Sequence, residues 1–146
     1  MAITTEQLIK KYPKIFQQYE GNPGMVNWFG VPDGWLPVVD KLCGSMQRYI
    51  DNHISYTKNG EYRPSQVTCS QMKEKFGGLR FYTNGHDEVI EGMINMAEYM
   101  CTYICQECGS EENIGLTGGW ITILCEKCAG DNYNWKPLNG EPHAEF

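Results

Sequence analysis

Four cysteines carry the most specific chemistry in the sequence. Cys105-Gln106-Glu107-Cys108 and Cys125-Glu126-Lys127-Cys128 form a C-x2-C-x16-C-x2-C pattern. Each pair can present two thiolates from one tight turn, and four thiolates complete a tetrahedral shell around zinc. Such a shell carries a formal charge of about −2 and leaves no open coordination position, so the one Zn2+ expected here is structural, not catalytic. Two disulfides, or a redox-active pair, are the competing readings of the same residues. The paired spacing, in a chain without an export signal, favours metal. Cys101 lies one helical turn before Cys105 and is a competing ligand. It, Cys43 and Cys69 otherwise read as small core side chains, a common place for a free cysteine.

A second group is basic and aromatic. Phe76-Gly77-Gly78-Leu79 reads as a hairpin with the two glycines at the turn, where positive φ carries no steric penalty. Phe76 then opposes Leu79, Lys75 opposes Arg80, Glu74 opposes Phe81 and Lys73 opposes Tyr82. Alternation puts Lys73, Lys75, Arg80 and Tyr82 on one face, with Phe76, Leu79 and Phe81 on the core side. Lys75 directly across from Arg80 is a like-charge pairing that costs stability unless an anion lies over it. Either the acidic C-terminal part folds back to supply carboxylates, or the face receives a phosphate-bearing ligand or nucleic acid. In the second case Arg80 is a forked phosphate donor, Tyr82 a stacking platform, and Arg63 an extension of the patch. Trp28, Phe29 and Trp35, in a Gly/Pro-rich loop, are either a recognition edge that adds Trp28 and Trp35 to that ligand site or caps on a small core.

The remaining residues offer little catalytic chemistry. His86 beside Asp87 resembles a helix start, His53 ends a helix and His143 lies in a Pro-bearing tail. The sequence has no nucleophile elbow, phosphate-binding loop, dinucleotide fingerprint or metalloprotease motif. The reading therefore leans away from an enzyme.

The elements that must position these groups follow from hydrophobic spacing. A helix starting near Thr4 or Thr5 carries Leu8, Ile9, Tyr12, Ile15, Phe16 and Tyr19 at helical intervals, with Pro13 able to break it. A second helix is expected from about Leu36 to His53, burying Val38, Val39, Leu42, Met46, Tyr49 and Ile50. Residues 65 to 83 read as strand. A third helix, from about Asp87 to Tyr103, buries Val89, Ile90, Met93, Ile94, Ala97, Met100, Cys101 and Ile104 and delivers the chain directly into the first cysteine pair. Gly109 suits a tight turn, and Trp120 to Leu124 reads as a strand leading into the second pair. The expected fold is α+β: helices and a β-hairpin forming a small core over residues 1–104, a zinc-ribbon-like module over 105–130 packed on it, and a tail over 131–146.

Composition sets the outer limits. The chain has 146 residues, 41% of them hydrophobic, and 18 acidic against 12 basic side chains, a net charge of −6. The balance is uneven: −1 over residues 1–40, +4 over 41–84 and −9 over 85–146. The overall acidic balance argues against a general duplex-DNA binder, because phosphate neutralisation needs a surplus of Lys and Arg. No run approaches the roughly 18 apolar residues of a membrane span, and the N-terminus lacks the basic start of a signal peptide, so a soluble, cytoplasmic protein is expected.

The run Met72-Lys73-Glu74-Lys75-Phe76-Gly77-Gly78-Leu79-Arg80-Phe81-Tyr82, followed by a helix and paired cysteines, resembles a recurrent class of small bacteriophage and prophage accessory proteins of unassigned function. The resemblance covers roughly residues 66 to 128 and transfers no catalytic residue. It implies a phage protein acting in the cytoplasm of a bacterial host, where small accessory proteins often block host defence. Two mechanisms follow as expectations. One sequesters a nucleotide signal on Lys73, Lys75, Arg80 and Tyr82. The other uses Glu107, Glu111, Glu112 and Glu126 to occupy a basic surface of a host defence protein, with electrostatic steering and salt sensitivity. A zinc-ribbon nucleic-acid regulator is the third class, and it needs a basic element longer than this hairpin.

Overall fold

The computed structural model describes residues 3–19 and 30–139. Helix α1 (Thr5–Lys11) opens with a capping box: the Thr4 hydroxyl accepts from the Gln7 amide at 3.1 Å, and the Gln7 side chain accepts from the Thr4 amide at 2.9 Å. Pro13 ends the α-helical run, so Ile15 and Phe16 reach the core from a turn and Tyr19 from a short 3-10 helix (Gln17–Tyr19). The Tyr12 hydroxyl donates to Asp40 at 2.6 Å and Lys11 pairs with the same carboxylate at 2.9 Å, which pins α1 on helix α2 (Leu36–Asn52).

Two short strands, β1 (Ser55–Thr57) and β2 (Gly60–Tyr62), form a small hairpin that the sequence pattern did not disclose. The principal hairpin pairs β3 (Thr68–Lys75) with β4 (Gly78–Asn84). Its register differs from the expected one by two residues: Lys75 faces Gly78, Glu74 faces Leu79, Lys73 faces Arg80 and Met72 faces Phe81. The turn is Phe76-Gly77, with φ of 52° and 76°, so both central residues carry the positive φ of a tight primed turn. This register sets the fully buried Met72 across from buried Phe81. Phe76 is thereby moved from the core face to an exposed tip. A slip of two, unlike a slip of one, leaves every other side chain on its face. The like-charge pair is accordingly Lys73–Arg80, not Lys75–Arg80.

Helix α3 (Glu88–Cys101) packs against α2 and β4. Asp87 caps it by accepting from the Ile90 amide at 2.9 Å, and also accepts from the Tyr49 and Tyr62 hydroxyls, each at 2.6 Å. Burial pushes the Asp87 carboxyl upward, but the hydroxyls of Tyr49 and Tyr62 and the backbone amides outweigh it and hold the group below its ordinary value.

The C-terminal part is a three-stranded antiparallel sheet in the order β6-β5-β7, from β5 (Ile114–Thr117), β6 (Ile123–Cys125) and β7 (Trp135–Pro137), with the short helix α4 (Glu126–Ala129) after β6. The sheet takes its third strand from beyond residue 130. Gly115 allows this closure, since a Cβ there would stand 2.4 Å from the Trp135 ring. Trp120 lies in the β5–β6 loop and not in the strand expected from residues 120–124. One continuous core joins both parts, running from Leu8, Trp35 and Met72 to Cys105, Ile123 and Cys125. The architecture is thus α+β, with the cysteine module packed on the helical core. No helix among the described residues is long and apolar enough to cross a membrane.

Candidate metal centre

The first cysteine pair sits in a knuckle directly after α3. The Gly109 amide donates to the Cys105 carbonyl at 3.0 Å, and Gly109 adopts φ 79°, the left-handed turn that glycine enters freely. The second pair spans the start of α4: Cys125 is its N-cap, and the Cys128 amide donates to the Cys125 sulfur at 3.4 Å. Gln106 ties the knuckles together. Its side-chain oxygen accepts from the Ile123 amide at 2.6 Å, and its own amide donates to the Ile123 carbonyl at 2.9 Å.

The result brings the sulfurs of Cys105, Cys108, Cys125 and Cys128 within 4.8 Å of one another, with Cys108 and Cys125 at 3.7 Å. A metal–sulfur bond of about 2.3 Å implies a tetrahedral edge of about 3.8 Å. A disulfide would need a separation of about 2.05 Å. All seven cysteines are free thiols. The four sulfurs can therefore hold one metal ion. Burial alone would raise the Cys105 thiol, but hydrogen bonds, chiefly from the backbone of Cys108, Cys125 and Glu107, hold it at about 7. Cys128 moves the other way, raised by sharing hydrogen bonds with Cys125 and Cys108. Four sulfurs this close share protons unequally until a cation compensates their charge. Cys101, fully buried in the core, stands outside the cluster, as do Cys43 and Cys69.

The hairpin face forms a second arrangement. Lys73, Lys75, Arg80 and Tyr82 share it, with the Lys73 ammonium 6.0 Å from the centre of the Tyr82 ring and the Lys75 ammonium 5.7 Å from that of Phe76. Among the described residues the ion pairs are Lys11–Asp40, Lys14–Asp51 and Arg63–Glu61, and none involves the three hairpin cations. Arg63, the expected extension of the patch, is paired with Glu61 at 2.8 Å. Burial raises the Glu98 carboxyl, against the opposing pull of the Phe81 amide, which donates to it at 3.0 Å, and of the Arg80 charge. Trp35 is not a ligand-binding residue: it is 0% exposed, and its ring nitrogen donates to the Ile104 carbonyl at 2.8 Å. Trp28 and Phe29 lie outside the described residues. Glu107, Glu111, Glu112 and Glu126 are all exposed around the cysteine cluster.

No family model, curated protein or solved structure matches the chain. Sequence reasoning missed the exposed aromatics at two loop tips, Phe76 and Trp120. The available signal was Gly118-Gly119-Trp120, a large ring directly after two flexible residues in the ribbon loop.

Proposed function

We propose that this chain is a non-catalytic, zinc-stabilised binding protein of a phage, acting in a bacterial host cytoplasm by capturing a phosphate-bearing nucleotide signal on its hairpin face. Zinc is the reading favoured by an all-sulfur tetrahedral donor set, and such a closed site serves the fold. The observation that carries the binding role is the set of three cations, Lys73, Lys75 and Arg80, on one face with no ion-pair partner among the described residues. Like charges directly across a hairpin are unfavourable, and a bound phosphate would reverse the sign of that interaction.

The exposed carboxylates Glu107, Glu111, Glu112 and Glu126 favour a second reading, in which the acidic end occupies a basic surface of a host protein. Charge reversal separates the two. Lys75→Glu with Arg80→Glu is expected to abolish anti-defence activity in infected cells, while Glu111→Lys with Glu112→Lys leaves it within about twofold. The opposite pattern would transfer the function to the acidic end. Metal analysis of protein purified without chelator is expected to find about one zinc per chain.

A further inference from the structure

Helix α3 carries two apolar seams where its own core uses one. Ile90, Ile94, Ala97 and Cys101 are buried on the side where α3 packs on α2 and β4. One residue earlier at each step, Val89, Met93, Met96 and Met100 repeat the same four-three-four spacing, the interval of a coiled-coil seam. This second seam faces outward: Val89 is 47% exposed, Met96 60% and Met100 39%, with Met93 partly buried at the edge of the core. A surface helix packed on one side ordinarily carries polar residues away from its core. A line of exposed large apolar side chains instead marks an interaction surface, and unbranched methionines adapt readily to an opposing one.

The two flanks of the seam differ in charge. On α2, the Ser45 hydroxyl donates to the Met93 sulfur at 3.6 Å, so the ridge of α2 that holds Ser45 borders the seam. Lys41 and Arg48, four residues before Ser45 and three after it, share that ridge and are exposed. On the other flank, away from α2, helical geometry places the exposed carboxylate of Glu88. None of these three charges belongs to an ion pair among the described residues. Two contacts fix their levels along the helices. Tyr49 reaches Asp87 and Ser45 reaches Met93, so α2 and α3 run antiparallel and Arg48 stands level with Glu88, across the seam from it.

We propose that a second copy of this chain covers the seam, in a two-fold dimer whose α3 helices lie parallel, seam against seam. The charges select both the occupant and the direction. A two-fold axis parallel to α3 keeps every level along the helix and exchanges the flanks, so Arg48 meets the partner's Glu88 and Glu88 meets the partner's Arg48. An axis perpendicular to α3 would leave each flank on its own kind, with Arg48 near the level of the partner's Lys41. The surface is complementary to itself in the first orientation only. Nothing in this dimer depends on the ligand of the hairpin.

The test is sedimentation equilibrium of the full chain, purified without chelator, from about 1 to 300 µM. A monomer–dimer equilibrium with a dissociation constant of about 1 to 100 µM is expected. Met96→Glu should weaken it at least about a hundredfold. Because that side chain is 60% exposed, the thermal transition of the variant at the lowest concentration should match the parent's. Arg48→Glu and Glu88→Arg should each weaken the dimer at least about fivefold by setting like charges together. Carried in one chain, the two reversals restore opposite charge across the interface and should return the affinity to within about twofold of the parent's. Arg48→Glu leaves the first turn of α3 untouched, so a dimer lost there is not a helix lost. A parent that stays monomeric at about 300 µM, or a Met96→Glu variant that dimerises as the parent does, overturns the proposal. An Arg48→Glu variant that dimerises more tightly would place the basic flanks on each other and overturn the parallel arrangement. A doubly reversed chain as weak as the single reversals would show that Arg48 and the partner's Glu88 do not meet, with the same consequence.

Discussion

The cysteine ribbon and the basic hairpin solve opposite problems with charge. In the ribbon, four thiols are drawn within 4.8 Å of one another, an arrangement whose negative charge a single cation can satisfy. On the hairpin, Lys73 and Arg80 are set directly across from each other, with no ion-pair partner among the described residues. The first region can be completed by an ion that would become part of the fold. Under the proposed function, the second would be completed by a ligand that comes and goes. Uncompensated like charge is thus compatible with a structural role only where the compensating group is permanent.

The comparison breaks most visibly if the ribbon is separable from the core. Its first knuckle is bonded to the helical part through the Gly34 amide, which donates to the Gln106 carbonyl at 2.8 Å, and through the Trp35 ring on Ile104. Chelation, or Cys125→Ser, is therefore expected to lower the thermal transition of the helices as well as the ribbon. A loss of at least about 4 kcal/mol, or a shift of roughly 12 °C or more, is expected by circular dichroism. A helical transition unmoved by chelator would make the ribbon an independent appendix.

Gly34 sharpens the same point on a smaller scale. A Cβ at this position would stand 2.1 Å from the Cys105 carbonyl oxygen, so backbone meets backbone with no flexible side chain to yield. Gly34→Ala should cost about 2–4 kcal/mol and weaken zinc retention, because the displaced carbonyl belongs to a ligand. Gly118→Ala is the matched control in the ribbon loop. It has open space around its Cα and should change stability by less than about 0.5 kcal/mol.

The two regions also differed in how much of them could be read from sequence. Metal-ligand spacing is local: each x2 interval places two sulfurs on one turn, and the Gln106–Ile123 bonds then bring the two turns together. The extents of α2 and α3 were equally legible, since Leu36 to Ile50 and Ile90 to Cys101 repeat apolar residues at helical intervals, but Val89 and Met100, expected on the buried face of α3, are exposed. The hairpin's faces were legible from alternation, yet its register was not. Two adjacent glycines marked a turn, but burial of Met72 against Phe81 decided which pair of residues formed it. That contact is a tertiary preference, and no turn propensity encodes it. Trp35 was misplaced in the ligand site for a related reason. A Gly/Pro-rich loop looks exposed, and only the approach of Gly34 to Cys105 shows why the glycine is there and the tryptophan buried.

The smallest effect tests the hairpin half of the comparison without any ligand. Lys73 and Arg80 are directly opposed across the ladder, and a like-charge pair in that position costs about 0.2–1 kcal/mol. Lys73→Thr removes one charge and supplies a residue that favours strands. The variant should gain a few tenths of a kcal/mol, read as a small rise in denaturation midpoint. The gain should shrink in 1 M sodium chloride, where the Debye length falls to about 3 Å. The same substitution should weaken tripolyphosphate binding, because the repulsion it relieves is what an anion would otherwise relieve. A variant more stable in the free state and poorer at binding phosphate would mark the hairpin charge as held for a ligand. If stability and binding both fell, Lys73 would instead be supporting the strand through its contact with the Tyr82 ring at 6.0 Å. The ribbon would then be the only one of the two regions in which like charge is arranged to hold a partner.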